Sequence, residues 1–259
     1  MDTVIIKEIK EYNSSVNGLL EELDFGGRLD DISRIVIKPN LLQDSPPPCT
    51  TDVECVEAVI KYIKTRNNSI PTTILEGSGG CETSKAFKTL GYEELAENYG
   101  ITLMDVDQSP LVKLENKNAR VYKEIYLPEI IFDSYLISIP VLKDHSMTTV
   151  TLGLKNMIGL LHKKHYGNYW SYNRSDVHRV GVDEAIADLN DYIDIDLTII
   201  DGRLGQEGSH LSGGRVCLPV KSVVIGGYDV LEVDKAGAGI LGHDWENVRH
   251  LKMIDEKQG

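Results

Sequence analysis

The sequence predicts an α/β fold: a largely parallel sheet with helices on both faces, Rossmann-like, forming one domain over residues 1–259 with room for two lobes. Three observations predict it. Short β-branched runs alternate with helical patterns along the chain, as parallel strands joined by crossover helices do. Polar and glycine-bearing residues follow directly after those runs, where an open α/β sheet places its ligands. Hydrophobic residues make up 41% and charged residues 26% of the 259, an ordinary globular balance and too apolar for a disordered chain.

The strand-like runs are TVIIKEI, RIVIKPNLL, TTILEGS, ITLMDVD, SYLISIPVL, LTIIDGR and LPVKSVVIGG, in chain order. Between the second and third, residues 52–66 place Val53, Val56, Val59, Ile60 and Ile63 at helical spacing, with Asp52 able to cap the start. Residues 82–99 read as two short helices broken at Gly91, and 180–193, 229–241 and 245–256 as further helices. Two stretches break the rhythm: the polar 106–128, and 162–179, an aromatic segment carrying Tyr166, Tyr169, Trp170 and Tyr172. The second reads as a lid or an interaction surface.

Forty acids against 27 Lys plus Arg give a formal charge of -13, which repels phosphodiester backbones, so no nucleic acid partner is expected. The N-terminus lacks the pattern of a signal peptide and no apolar run reaches membrane-spanning length, so the expectation is a soluble, cytoplasmic protein with no membrane partner. Cys49, Cys55, Cys81 and Cys217 are scattered, without the spacing of a zinc or iron-sulfur site.

Chemistry concentrates after the strand-like runs. Lys38 and Asn40 follow the second; Gly77, Ser78 and Gly79 belong to EGSGG after the third, where glycine backbone and the serine hydroxyl could cradle an anion. A plain tight turn explains that loop equally well. Residues 140–165 form a basic island within the acidic chain and hold Lys143, Asp144, His145, Lys155, Asn156, His162 and His165. His145 titrates near neutrality, and an apolar setting would lower the Lys155 pKa and make its amine a base or nucleophile. A solvated, ion-paired loop is the alternative. Asp201 ends a strand and Glu207 and His210 lie in a loop with five glycines, so the two carboxylates could hold a divalent cation or orient a base.

Taken in order, IKPNLL, EGSGG, IPVLKDHSMTTVTLGLKNMIGL, IIDGRLGQEG and YDVLEVDKAGAGILG resemble the family called domain of unknown function 362, from about Val36 to the end of the chain. Family members often add a ferredoxin-like module with two iron-sulfur clusters; this chain has no such cysteine pattern, so no iron-sulfur cluster is expected. A more remote likeness is to the nickel-dependent lactate racemases. In those a catalytic histidine precedes by ten residues a lysine that attaches a nickel pincer cofactor, and His145 and Lys155 have that separation, with Leu152-Gly153-Leu154 where the racemases have a pair of glycines. The resulting expectation is a binding protein or enzyme for a small anion. Lys38, Asn40, Gly77, Ser78, Gly79, Asn156, Asp201 and Glu207 would bind the ligand, and His145, Lys155 and Lys143 would carry catalysis by proton transfer, with or without a metal. The alternative is a non-catalytic accessory or interaction protein for a redox or cofactor-assembly partner, or one that pairs with a second copy of itself.

Overall fold

A computed structural model describes residues 3–167 and 174–258. The chain runs β1 (Ile5–Glu8), α1 (Tyr12–Glu22), β2 (Ile35–Pro39), α2 (Val53–Arg66), β3 (Thr72–Glu76), α3 (Thr83–Thr89), α4 (Tyr92–Tyr99) and β4 (Thr102–Asp105). It continues through β5 (Leu111–Glu115), β6 (Glu124–Pro128), β7 (Tyr135–Ile139), β8 (Val141–His145), β9 (Thr149–Thr151), α5 (Gly153–Asn156), α6 (Lys163–Tyr166), α7 (Asp176–Val180) and α8 (Val182–Asn190). The final elements are β10 (Leu197–Glu207), β11 (Arg215–Val216), β12 (Val223–Gly227), α9 (Val230–Leu241) and α10 (Arg249–Gln258).

The main sheet is mixed, ordered β1-β12-β10-β7-β2-β3-β4. From β10 to β4 every pairing is parallel, while β12 and β1 join one side antiparallel. Strand alternation separates two cores, because successive side chains point to opposite faces. Ile35, Ile37, Ile74, Ile137 and Ile199 face the core built with α1, α2 and α4; Val36, Leu75, Leu136 and Ile200 face the core built with α8, α9 and α10. Each such fully buried aliphatic side chain contributes about 2 kcal/mol. The helices therefore cover both faces, in agreement with the sequence.

Local signals behave as the sequence suggests at several boundaries. The Asp52 carboxylate accepts from the Glu54 amide at the start of α2. Gly91 separates α3 from α4 at φ +83, a left-handed conformation that favours glycine. Within residues 106–128, which break the rhythm in sequence, β5 and β6 form an antiparallel hairpin whose Ile125 and Leu127 are buried in the second core. Of the 162–179 segment, Tyr169, Trp170 and Tyr172 lie outside the described residues. Among the described residues, no helix is long and apolar enough to cross a membrane.

Candidate functional site

The carboxyl ends of the adjacent parallel strands β2 and β3 open on the same side of the sheet, and there a cavity of about 370 Å³ forms. Its wall includes Lys38, Asn40, Glu76, Gly77, Gly79, Lys143, His145, Lys155 and Asn156, all from distant parts of the chain. The sequence put Lys143 and His145 just after the fifth strand-like run, with a solvated loop as the alternative. They stand instead on β8, which pairs with β10 and with β9, so strand alternation turns both toward the cavity. Asp144, between them, meets the His243 ring at 2.8 Å.

Four cationic side chains line this cavity, Lys38, Lys143, Lys155 and Arg174; Glu76 is the one acid among the described lining residues. Two of the cations have a carboxylate partner. Lys38, 1% exposed, donates to Glu76 Oε1 at 2.6 Å, and the Arg174 guanidinium donates to Asp107 at 2.9 Å and to the Ser78 carbonyl at 2.7 Å. The other two lack one among the described residues. Lys143, also 1% exposed, donates to Asn40 Oδ1 at 2.7 Å and the Cys49 carbonyl at 2.9 Å, both neutral acceptors. Lys155 has no hydrogen bond or ion pair to a described residue.

Burial therefore sets the protonation of these amines. Desolvation, against weaker attraction from Cys49 and Glu76, pulls Lys143 down to about 8. Desolvation and then the neighbouring Lys143 charge pull Lys155 down to about 7, opposed by Asp183. His145 accepts the Met147 and Thr148 amides at Nδ1, which puts its ring proton on Nε2. Its ring stacks on His210, with centroids 3.8 Å apart. Burial, then the nearby lysines, holds His145 far below the usual histidine range and His210 down to about 4, so both rings are neutral at pH 7.

A chain of amides fixes this wall. Asn156 donates to the Lys38 carbonyl at 2.9 Å and to Ser138, and its own oxygen accepts from Asn40, which in turn accepts from Lys143. The turn bearing Lys155 is held from behind: fully buried Asp234 on α9 accepts the Gly153 and Leu154 amides at 2.8 and 2.9 Å. Close packing matters at Gly159, where a β-carbon would stand 2.6 Å from Lys38 Nζ and 2.7 Å from Glu76 Oε1. Gly159→Ala is expected to push that ion pair apart and cost about 1–3 kcal/mol, read as an equal loss in chemical denaturation.

Several sequence expectations require correction. The EGSGG backbone is not a free anion cradle: the Gly77 amide donates to Glu76, Ser78 to the Thr83 hydroxyl, and Gly79 and Gly80 to the Leu42 carbonyl. The Ser78 hydroxyl donates to the Leu41 carbonyl. Asp201 does not end a strand but sits within β10, where it accepts from Tyr12, Asp52 and Arg203 away from the cavity. Burial raises its carboxyl to about 6. Glu207, at the far end of β10, pairs with Arg215. Among the described residues no three His, Cys, Asp or Glu side chains gather to hold a metal.

Arg174, His178 and His210 join the wall although none was among the site residues chosen from the sequence. His210 belongs to the glycine-bearing loop noted in the sequence, where nothing local marks which side chain enters the cavity. For the nickel pincer cofactor implied by the remote likeness, the fitting group is the Lys155 amine, which faces the cavity beside imidazoles.

Comparisons with known proteins agree with the family likeness. The family described as a domain of unknown function, DUF362, matches residues 35–239. The chain is 27% identical over 205 residues to the thylakoid-associated protein sll1697 of Synechocystis sp., covering 76% of this chain and 60% of that protein. The lactate racemase apoprotein from Thermoanaerobacterium thermosaccharolyticum superposes with a TM-score of 0.57 at 13% identity, over 93% of this chain and 57% of that one, a similarity of fold. The chain thus spans about three-fifths of the length of each.

Proposed function

The chain belongs to the DUF362 family, and from that premise we propose that its cavity binds a small organic anion and moves a proton on it. The carrying observation is the pair of lysines, buried Lys143 and half-buried Lys155, that line one cavity without a carboxylate partner among the described residues in a chain of net charge -13. Two desolvated cations facing one cavity cost stability, and an anion between them offsets that cost. Lys143 fixes the anion; Lys155 and the neutral His210 ring then supply proton acceptors near neutral pH, and the Nε2–H of His145 a donor. Such proton transfer is worth about 10²–10⁴ in rate, with the fixed dipoles of Asn40 and Asn156 adding electrostatic preorganisation. A nickel pincer group would be held by Lys155 and would supply redox chemistry that a proton-transfer site lacks.

Calorimetric titration with oxalate, pyruvate and inorganic phosphate tests the reading. A charge-assisted hydrogen bond contributes about 1.5–3 kcal/mol, so Lys143→Met is expected to weaken the anion that binds by about 10- to 100-fold. Binding unchanged in that variant, or no binding by any of the three, rejects the reading. The pH dependence has a fixed sign. An anion prefers protonated amines, so affinity is greatest below the Lys155 value of about 7 and falls as pH rises through the Lys155 and Lys143 values of about 7 and 8. A rising affinity over that window contradicts the assignment.

A further inference from the structure

The three lysines of the cavity are not equivalent. Lys38 is bound to Glu76 and to the Pro39 carbonyl, and Lys143 already donates to two oxygens, leaving one ammonium hydrogen to direct at a ligand. Lys155 alone presents its amine without a described partner, on a turn locked by Asp234, in a cavity whose wall also carries Ile158, Val177, Val182 and Leu211. An enclosed amine beside a second cation is the arrangement that activates a lysine for attack on carbonyl carbon.

We propose that Lys155 is a nucleophile that condenses with the carbonyl of a small 2-oxo acid in this cavity, while Lys143 holds the acid's carboxylate. The inference rests on the anion-binding reading and names its substrate class. The Lys155 nitrogen lone pair attacks the 2-carbon, the carbon–oxygen π pair moves onto the oxygen, and one N–H proton passes through the His210 imidazole to that oxygen, giving a carbinolamine. The remaining N–H proton is then taken by the neutral His210 imidazole and leaves with the hydroxyl as water. One carbonyl and one amine give one imine and one water, with no external oxidant or reductant. The amine's value of about 7 leaves a large uncharged fraction at neutral pH, and the neutral His210 ring, whose Nδ1 has no hydrogen-bond partner among the described residues, keeps a lone pair for the proton.

The test uses the purified chain. Intact mass is recorded first, then pyruvate is added with borohydride, which reduces an imine to a stable secondary amine, and the adduct is mapped by peptide mass spectrometry. The expected result is an unmodified starting chain and one reduced pyruvate adduct on Lys155, suppressed by excess oxalate and absent in Lys155→Arg. A covalent group already on Lys155, or adducts scattered over other lysines, overturns the proposal. So does a chain that binds oxalate yet traps no pyruvate, and in that case the anion-binding reading still stands. A chain that binds none of oxalate, pyruvate and inorganic phosphate sinks both. Mapping on the unsubstituted chain keeps the test decisive even if Lys155→Arg fails to fold.

Discussion

Lys155→Met is expected to make the fold more stable while removing the site's chemistry. Methionine fills a similar volume without a charge, so the variant sheds the desolvation that lowers the lysine from 10.5 to about 7. The gain at neutral pH should be on the order of 2–4 kcal/mol, since each tenfold weakening of proton affinity is worth about 1.4 kcal/mol and the cavity lets part of the charge reach solvent. The pH profile carries a signature. The unfolded chain restores the amine to its ordinary value, so above about pH 7 it binds more protons than the folded chain, and wild-type stability rises with pH until cysteines and tyrosines titrate. Lys155→Met should flatten that rise between about pH 7 and 9. Thermal unfolding at several pH values checks it, and a variant less stable than the wild type with an unchanged slope would show that Lys155 is a structural residue.

Asp234→Asn is expected to damage the site from behind. The carboxylate offers an oxygen to each of the Gly153 and Leu154 amides, whereas an asparagine offers one oxygen and sets an NH₂ against the other donor. A buried amide without an acceptor costs about 1–3 kcal/mol, and Gly153 has no slack to absorb a shift, because Thr198 and Val230 already stand 2.9 Å from where its β-carbon would be. Asp234 acts through Lys155, so it is a positioning residue. The informative readout is the pH midpoint of oxalate affinity, expected to move as the Lys155 turn shifts; a lowered melting temperature with an unmoved midpoint would mean that Asp234 supports the fold alone. Its own carboxyl is raised to about 7 by burial.

The cavity was legible where residues end or interrupt apolar runs. Lys38, Asn40, Lys143, His145, Lys155 and Asn156 all stand out as polar groups against aliphatic neighbours, and the structure brings all six to one wall. Asp201 and Glu207 misled for the complementary reason: LTIIDGR looks like a strand followed by a turn, but pairing with β8, β11 and β12 carries β10 through Asp-Gly to Glu207. The glycines of EGSGG suggest an open cradle because sequence shows amides but not their acceptors, and here Glu76, Thr83 and Leu42 take them. Helix α1 escapes a local reading because Ser14, Ser15, Asn17 and Gly18 are weak helix formers. Its signal lies in Tyr12, Val16, Leu19 and Leu20, all buried at helical spacing. Arg174 and His178 reach the wall only through tertiary packing, which no local pattern announces.

The most direct measurement of the central claim is the number of protons taken up when oxalate binds near pH 7.5, obtained by calorimetry in buffers of different ionisation heat. An anion placed between Lys143 and Lys155 raises both values, so net proton uptake is expected, reduced in Lys155→Met. Binding without uptake, or uptake identical in that variant, would contradict an anion site built on these two lysines.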